Sequence, residues 1–272
     1  MEIDCREHTM MGLQQAITYT LIEYIMMTPM MHFNETLVGE KHGHKGNYHY
    51  LTEEAKLLIR TILKELHFLH KDGKCPDKIT VSNIFVKYGR AELKGVYLCE
   101  KEDTMIFRNY KEVYEIIMGT VLREHSKDDI PDDVMRLLLL MTSQATAIDM
   151  EYVICTHASL VPLGNREAFF MKMYKQIMFV LPEEKPTAQK KILQALPYDL
   201  YWYNKLEGNS EIEELFRNAI VHDMDDYHVG RRYTSDDFQL ILWVSFPMLL
   251  PRMQEEHEKE KHLRPLNIHS LL

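Results

Sequence analysis

The chain has 272 residues, 46% of them hydrophobic, with four cysteines and a formal net charge of −9. That length and apolar share are enough to bury a core as one large domain or two small ones. The acidic balance argues against unspecific nucleic-acid binding, which depends on lysine and arginine neutralising phosphates, so any RNA contact has to be local. No apolar run approaches the roughly 18 residues of a membrane helix, the longest lying around Leu137 to Met141, so no membrane span is expected. Cys5, Cys75, Cys99 and Cys155 show none of the short paired spacings of zinc or redox motifs. Glu2 and Asp4 open the chain with no apolar leader at once behind them, and the expected setting is reducing and cytoplasmic.

Residues 1–31 read as a helix-prone segment followed by an apolar run, Tyr19 to Met27. Asn34-Glu35-Thr36 matches a glycosylation acceptor, but with no secretory leader it reads as chance. His42, His44 and His49 lie among glycines between Gly39 and Tyr50; their spacing matches no closed metal site, so a solvated loop is expected and no metal. The stretch from Leu51 to Val96 organises the rest. Ala55, Leu58, Ile59, Ile62, Leu63, Leu66 and Leu69 recur every three or four residues, the repeat of a helix with one buried face. Thr52 can cap its start, Glu53 and Glu54 suit the positive end of its dipole, and Gly73 supplies a left-handed stop. A tight turn and a short strand-like run follow.

Further along, residues 126–141 place Pro131 at a helix start, with acids around it and an apolar run behind. A loop-rich stretch through Thr156 and Gly164 leads to a helix from Ala168 to Leu181, in which Phe169, Met173, Ile177 and Val180 recur; these read as core. Ser210-Glu211-Ile212-Glu213 is a capping box, and Ile212, Leu215, Phe216 and Ala219 form the buried stripe of the helix it starts. Asn218 and His222 then lie one turn apart, with Arg217 beside them. Such a trio suits metal-free RNA cleavage, in which a cation stabilises charge on the phosphate and an imidazole moves the proton.

Several of these segments resemble protein kinases. Leu69-His70-Lys71-Asp72-Gly73 resembles the end of the helix before the catalytic loop, and Ser82-Asn83-Ile84-Phe85-Val86 the end of that loop and its strand. Counting back from Asn83 sets Pro76, Asp77 and Lys78 where kinases carry His-Arg-Asp, so the catalytic base has become lysine. Thr80 stands in place of the phosphate-contacting lysine, and Gly95-Val96-Tyr97 in place of the metal-binding Asp-Phe-Gly. Asn83 alone remains, as a vestigial cofactor-binding position, with Asp77 the one alternative base by a one-residue shift. Leu21-Ile22-Glu23-Tyr24 is similar to the strand that ends at the kinase hinge, so the glycine-rich loop and its lysine have no counterpart. After about a dozen residues, Leu98 to Asn109, the run from Tyr110 to Glu124 resembles the central helix of the kinase C-lobe. Glu112 falls where that helix carries the buried aspartate that holds the catalytic loop, which implies a structural role. Lys185-Pro186-Thr187-Ala188, the short helix behind it and the run to Trp202 resemble the closing kinase signature. Phosphoryl transfer needs one carboxylate to orient the attacking hydroxyl and another for magnesium. The resemblance thus implies lost kinase activity and no cofactor, with ATP and magnesium binding gone.

The order Leu215-Phe216-Arg217-Asn218, then His222, then Phe246-Pro247-Met248-Leu249-Leu250 resembles the kinase-extension nuclease domain shared by the inositol-requiring kinase/endoribonuclease of the unfolded-protein response and RNase L. The resemblance carries that family's catalytic roles onto Arg217, Asn218 and His222, with the aromatic general base near Tyr203 and Trp202 as second candidate. The extension between Trp202 and Ser210 is much shorter than in that family, Ala219 replaces its basic residue, and the last seventy residues hold eight lysines and arginines against thirteen acids. The expectation is therefore a mainly α chain: a degenerate kinase-like C-lobe over 1–202, its N-lobe largely missing, and a shortened nuclease-like extension over 203–272. The leading functional expectation is RNA processing in this lineage, by a metal-independent endoribonuclease acting on RNA. The alternative is a non-catalytic pseudokinase scaffold that regulates a kinase-like partner through homo- or heterodimers.

Overall fold

The computed structural model describes residues 17–34, 48–196 and 246–272, and these are mainly helical. Strand β1 (Thr18–Thr20) runs directly into helix α1 (Leu21–Met27). The hinge-like strand expected at Leu21 to Tyr24 is thus the first turn of a helix. The reason is local: Glu23 Oε2 accepts from the Thr20 N–H at 2.8 Å while the Glu23 N–H donates to Thr20 Oγ1 at 3.3 Å, a reciprocal cap that ends the strand. Strands β2 (Met31–Asn34) and β3 (Tyr48–Leu51) pair antiparallel, and His49 lies in β3 with its Nδ1 3.6 Å from Asp129. His42 and His44 lie outside the described residues.

Helix α2 (Glu53–Lys71) begins and ends where its sequence signals fall. Thr52 Oγ1 accepts from the Ala55 N–H at 3.0 Å, and Gly73 adopts φ +75°, a conformation costly to any residue with a Cβ. Ala55, Leu58, Ile59, Ile62, Leu63 and Leu66 are all buried. The stripe does not end on Leu69, which is only partly buried; His70 continues it at 1% exposure. Next come β4 (Lys74–Pro76), the loop to Asn83, and a hairpin of β5 (Ile84–Lys87) and β6 (Arg90–Leu93). Its two turn residues, Tyr88 and Gly89, both have positive φ, which matches the twist of the flanking strands. β1 adds to this hairpin in the order β1-β5-β6, and β7 (Leu98–Glu100) pairs with β4.

Helix α3 (Asp103–Ile116) starts seven residues before the Tyr110 expected from the sequence, so only Lys101 and Glu102 separate it from β7. It continues as a wider π-type turn, Ile117–Val121. Helix α4 (Asp132–Leu140) follows Pro131 as expected and buries Val134, Leu137, Leu138 and Leu140. The stretch read as loop-rich holds two short helices, α5 (Gln144–Asp149) and α6 (Glu151–Cys155). Neither is long enough to show a stripe; α5 is held by burial of Ala147 and α6 by burial of Val153, Ile154 and Cys155. Helix α7 (Arg166–Lys175) passes through a second π-type turn, Gln176–Val180, into α8 (Leu181–Glu184), burying Phe169, Met173, Ile177 and Leu181 along one side. Helix α9 (Pro186–Ala195) opens on its proline, and α10 (Leu249–Lys259) follows Phe246.

α2 is the central post, packed against β4, β6, α3 and α6, while α10 packs on α7, α9 and the 158–160 turn. Leu250, Met253, Leu263 and Ile268 belong to the same apolar core as α2. The expected boundary at residues 202 and 203 lies outside the described residues. Buried polar groups tie α10 to the rest. Arg136 Nε and Nη2 donate to the two carboxylate oxygens of Glu255 at 2.6 and 2.7 Å, and Gln254 accepts from the Ala158 N–H at 2.8 Å while donating to the Thr156 carbonyl at 2.8 Å. Among the described residues no helix is long and apolar enough to cross a membrane.

Candidate functional site

The segment that the kinase resemblance singles out, Pro76 to Asn83, leaves the core at β4 and returns to it at β5. Its shape is fixed from within by Asn83. The Asn83 Oδ1 accepts from the Thr80 N–H at 2.9 Å and from Thr80 Oγ1 at 2.7 Å; its Nδ2 donates to the carbonyls of Lys94 and Gly95 at 3.2 and 3.3 Å. An amide has two donors and one oxygen with two lone pairs, so these four bonds use its full capacity. Asn83 locks the loop to the turn that follows β6, and its oxygen already serves two donors.

The loop is also held from below by α3. Glu112 Oε2 accepts from the Ile79 N–H at 2.8 Å, and Asn109 Nδ2 donates to the Pro76 carbonyl at 2.8 Å. Arg108, one turn before Glu112, donates through Nη2 to the Asp77 carbonyl and reaches its Oδ1 at 3.3 Å. Asp77, the alternative base, is therefore an ion-pair partner. Lys78 is exposed and makes no ion pair among the described residues, and the Gly95-Val96-Tyr97 stretch offers no carboxylate.

Under Asn109 lies a buried polar chain. Because Asn109 Nδ2 is committed to Pro76, its Oδ1 is the atom facing His70 Nε2 at 3.2 Å, so the ring donates there. Its other nitrogen, Nδ1, faces Glu151 Oε1 at 2.6 Å, and the Tyr110 hydroxyl donates to the same oxygen at 3.1 Å. Lys101 stands 3.7 Å from Glu151 Oε2. Burial raises the Glu151 carboxyl, but the His70 hydrogen bond and the charges of His70 and Lys101 more than offset it, leaving the group below its ordinary range. Tyr110, enclosed and beside that carboxylate, is pushed well above its ordinary value and stays a phenol. The chain from Glu151 through His70 and Asn109 to Pro76 positions backbone. None of its members touches the surface of the loop.

Sequence reasoning reached Asn83, Asp77, Lys78, Thr80 and Glu112 but missed His70, Asn109, Arg108 and Glu151 as a set. One signal was present: a histidine four residues beyond Leu66 on an apolar stripe needs polar company in the core. Tyr203, Arg217, Asn218 and His222, and Trp202 with them, lie outside the described residues. No group of three or more His, Cys, Asp or Glu among the described residues is arranged to hold a metal ion. No protein-family model, curated protein or solved structure matches this chain.

Proposed function

We propose that this chain is a degenerate member of the kinase/endoribonuclease lineage that transfers no phosphate, and that its lobe serves as a binding scaffold for a kinase-like partner or a second copy of itself. The observation that carries the reading is the Pro76 to Asn83 loop. It keeps a hydrogen-bonded frame, with Glu112 and Asn109 beneath it and Asn83 closing it, yet Lys78 stands where a carboxylate would orient an attacking hydroxyl and Gly95 where another would hold magnesium. A lysine ammonium has no lone pair to accept that hydroxyl's proton. A frame kept without its chemistry suits a surface whose shape is what matters. Thermal melting of the full chain with and without magnesium and ATP tests this; the expected result is no magnesium-dependent shift, and a shift of several degrees would overturn it.

A second reading, that the tail cleaves RNA without a metal, is favoured by the order Leu215-Phe216-Arg217-Asn218, His222 and Phe246-Pro247. There Arg217 and Asn218 would hold the scissile phosphate, His222 would protonate the departing oxygen, and Tyr203 would take the proton of the 2′-hydroxyl. Incubating the protein with a stem-loop RNA in the presence of a chelator, beside His222→Ala, decides it. Cleavage abolished by the substitution supports this reading, and cleavage that survives it, or none in the wild type, removes it.

A further inference from the structure

β4 and β7 form a two-stranded antiparallel ladder in which Cys75 lies directly opposite Cys99. Residues opposed in this way project to the same face. The Lys101 N–H donates to the Gly73 carbonyl at 3.0 Å and the Asp77 N–H to the Tyr97 carbonyl at 2.8 Å, two residues to either side. The cysteines therefore occupy a hydrogen-bonded pair of the ladder, where opposed Cα atoms stand about 5.5 Å apart. Disulfides span Cα separations of about 4.4–6.8 Å, so the strand spacing admits a bridge once the two side chains draw together. The two thiols differ in access: Cys99 is exposed on a strand exposed along its length, whereas Cys75 is fully buried, and both are free.

We propose that Cys75 and Cys99 form a reversible intramolecular disulfide when the protein meets a hydroperoxide. The exposed Cys99 Sγ attacks the peroxide O–O bond and becomes a sulfenic acid, with the peroxide reduced to an alcohol or water. Cys75 Sγ, across the ladder, then attacks the Cys99 sulfur; the S–S bond forms, the S–OH bond breaks, and the hydroxyl leaves as water with the Cys75 proton. The pairing is suited to reversal, because opposed Cβ atoms at a hydrogen-bonded position stand about 5.5 Å apart, beyond the roughly 3.5–4.5 Å of a relaxed disulfide, and the strained bridge is more readily reduced. Its site gives it consequence: β4 leads into the Pro76 to Asn83 loop and β7 leads out towards α3, so the bridge would staple together the two strands that flank the frame holding that loop.

The test uses the full chain with Cys5→Ser, which removes the one thiol outside the described residues. Treatment with hydrogen peroxide, unfolding, alkylation and peptide mapping read the product. The expected result is a monomer lighter by its two thiol hydrogens, with the Cys75 and Cys99 peptides linked, Cys155 alkylated, and full recovery of both thiols on adding dithiothreitol. Cys99→Ser, at an exposed position, should leave Cys75 fully alkylated after the same treatment. A Cys99 converted to sulfinic acid or joined to another chain while Cys75 remains alkylated would overturn the proposal, as would failure of both thiols to react.

Discussion

Beneath the Pro76 to Asn83 loop, side chains from α3 reach up to the backbone and leave the loop's own residues, Asp77, Lys78 and Ser82, facing solvent. At the joint between α10 and the turn around 156–160, the polar groups that do the fastening are themselves sealed: Gln254 and Glu255 have no exposed area, nor has His157. Both regions satisfy irregular backbone with buried side chains, as buried polar groups require. The difference lies in what remains outside. The joint buries its acceptors and leaves only the outer parts of Arg136 and Arg252 to solvent, while the loop is a rigid support that turns Lys78 and Ser82 outward. Substitutions should therefore be costly at the joint, intermediate below the loop and nearly silent on it.

The largest effect is expected at Arg136. Replacing it with alanine leaves the buried Glu255 carboxylate, among the described residues, with Arg252 alone, 3.4 Å away, and should cost about 3 kcal/mol in urea unfolding, as breaking buried ion pairs does. A loss under about 1 kcal/mol would mean that the joint is far more open than its geometry.

Next is pH. Burial, with Arg136 and Arg166 nearby, holds the His157 ring down at about 3, against an ordinary 6.5. The folded ring stays neutral while the unfolded one takes up a proton, so stability is complete above 6.5 and falls as pH drops towards 3. Between about pH 6.5 and 5 this one group should remove about 2 kcal/mol. His257, lowered chiefly by burial, adds to the loss in the same direction. Unfolding in urea at about pH 7 and about pH 5, with His157→Gln as reference, checks the size: the variant's pH slope should be shallower by one proton.

Below the loop, Asn109→Ala strips Pro76 and His70 of their shared partner and should cost about 2 kcal/mol, as unsatisfied buried groups do. Thr52→Ala, which removes the α2 cap and the hydroxyl's bond to the Pro29 carbonyl, should cost about 1.5 kcal/mol. On the loop, Lys78→Ala should change stability by less than about 0.5 kcal/mol, as exposed positions without partners do. A larger effect there would blur the line between frame and surface.

How much of this was legible in the chain depended on distance along it. The ends of α2 were readable because Thr52, Glu53, Glu54 and Gly73 act within a few residues of where they stand. The cap between Thr20 and Glu23 was equally local, but the apolar run behind it fits a short strand as well as a helix, and resemblance favoured the strand. α5 and α6 were hidden because helices this short owe their form to tertiary burial. The underside of the loop was hidden for a different reason. His70 meets Glu151 across 81 residues, and Arg136 meets Glu255 across 119; no spacing rule links partners that only the fold brings together. Asn83 was found as a remnant of chemistry, and its four hydrogen bonds make it a fastener of the loop.

The loop is a fixed frame held from α3. Amide hydrogen exchange at Ile79 measures this most directly, since its N–H has Glu112 as its acceptor. Protection comparable to the buried turns of α2, lost in Glu112→Ala while α2 itself stays protected, is the predicted result. An Ile79 amide that exchanges in the wild type as fast as an open surface loop would contradict it.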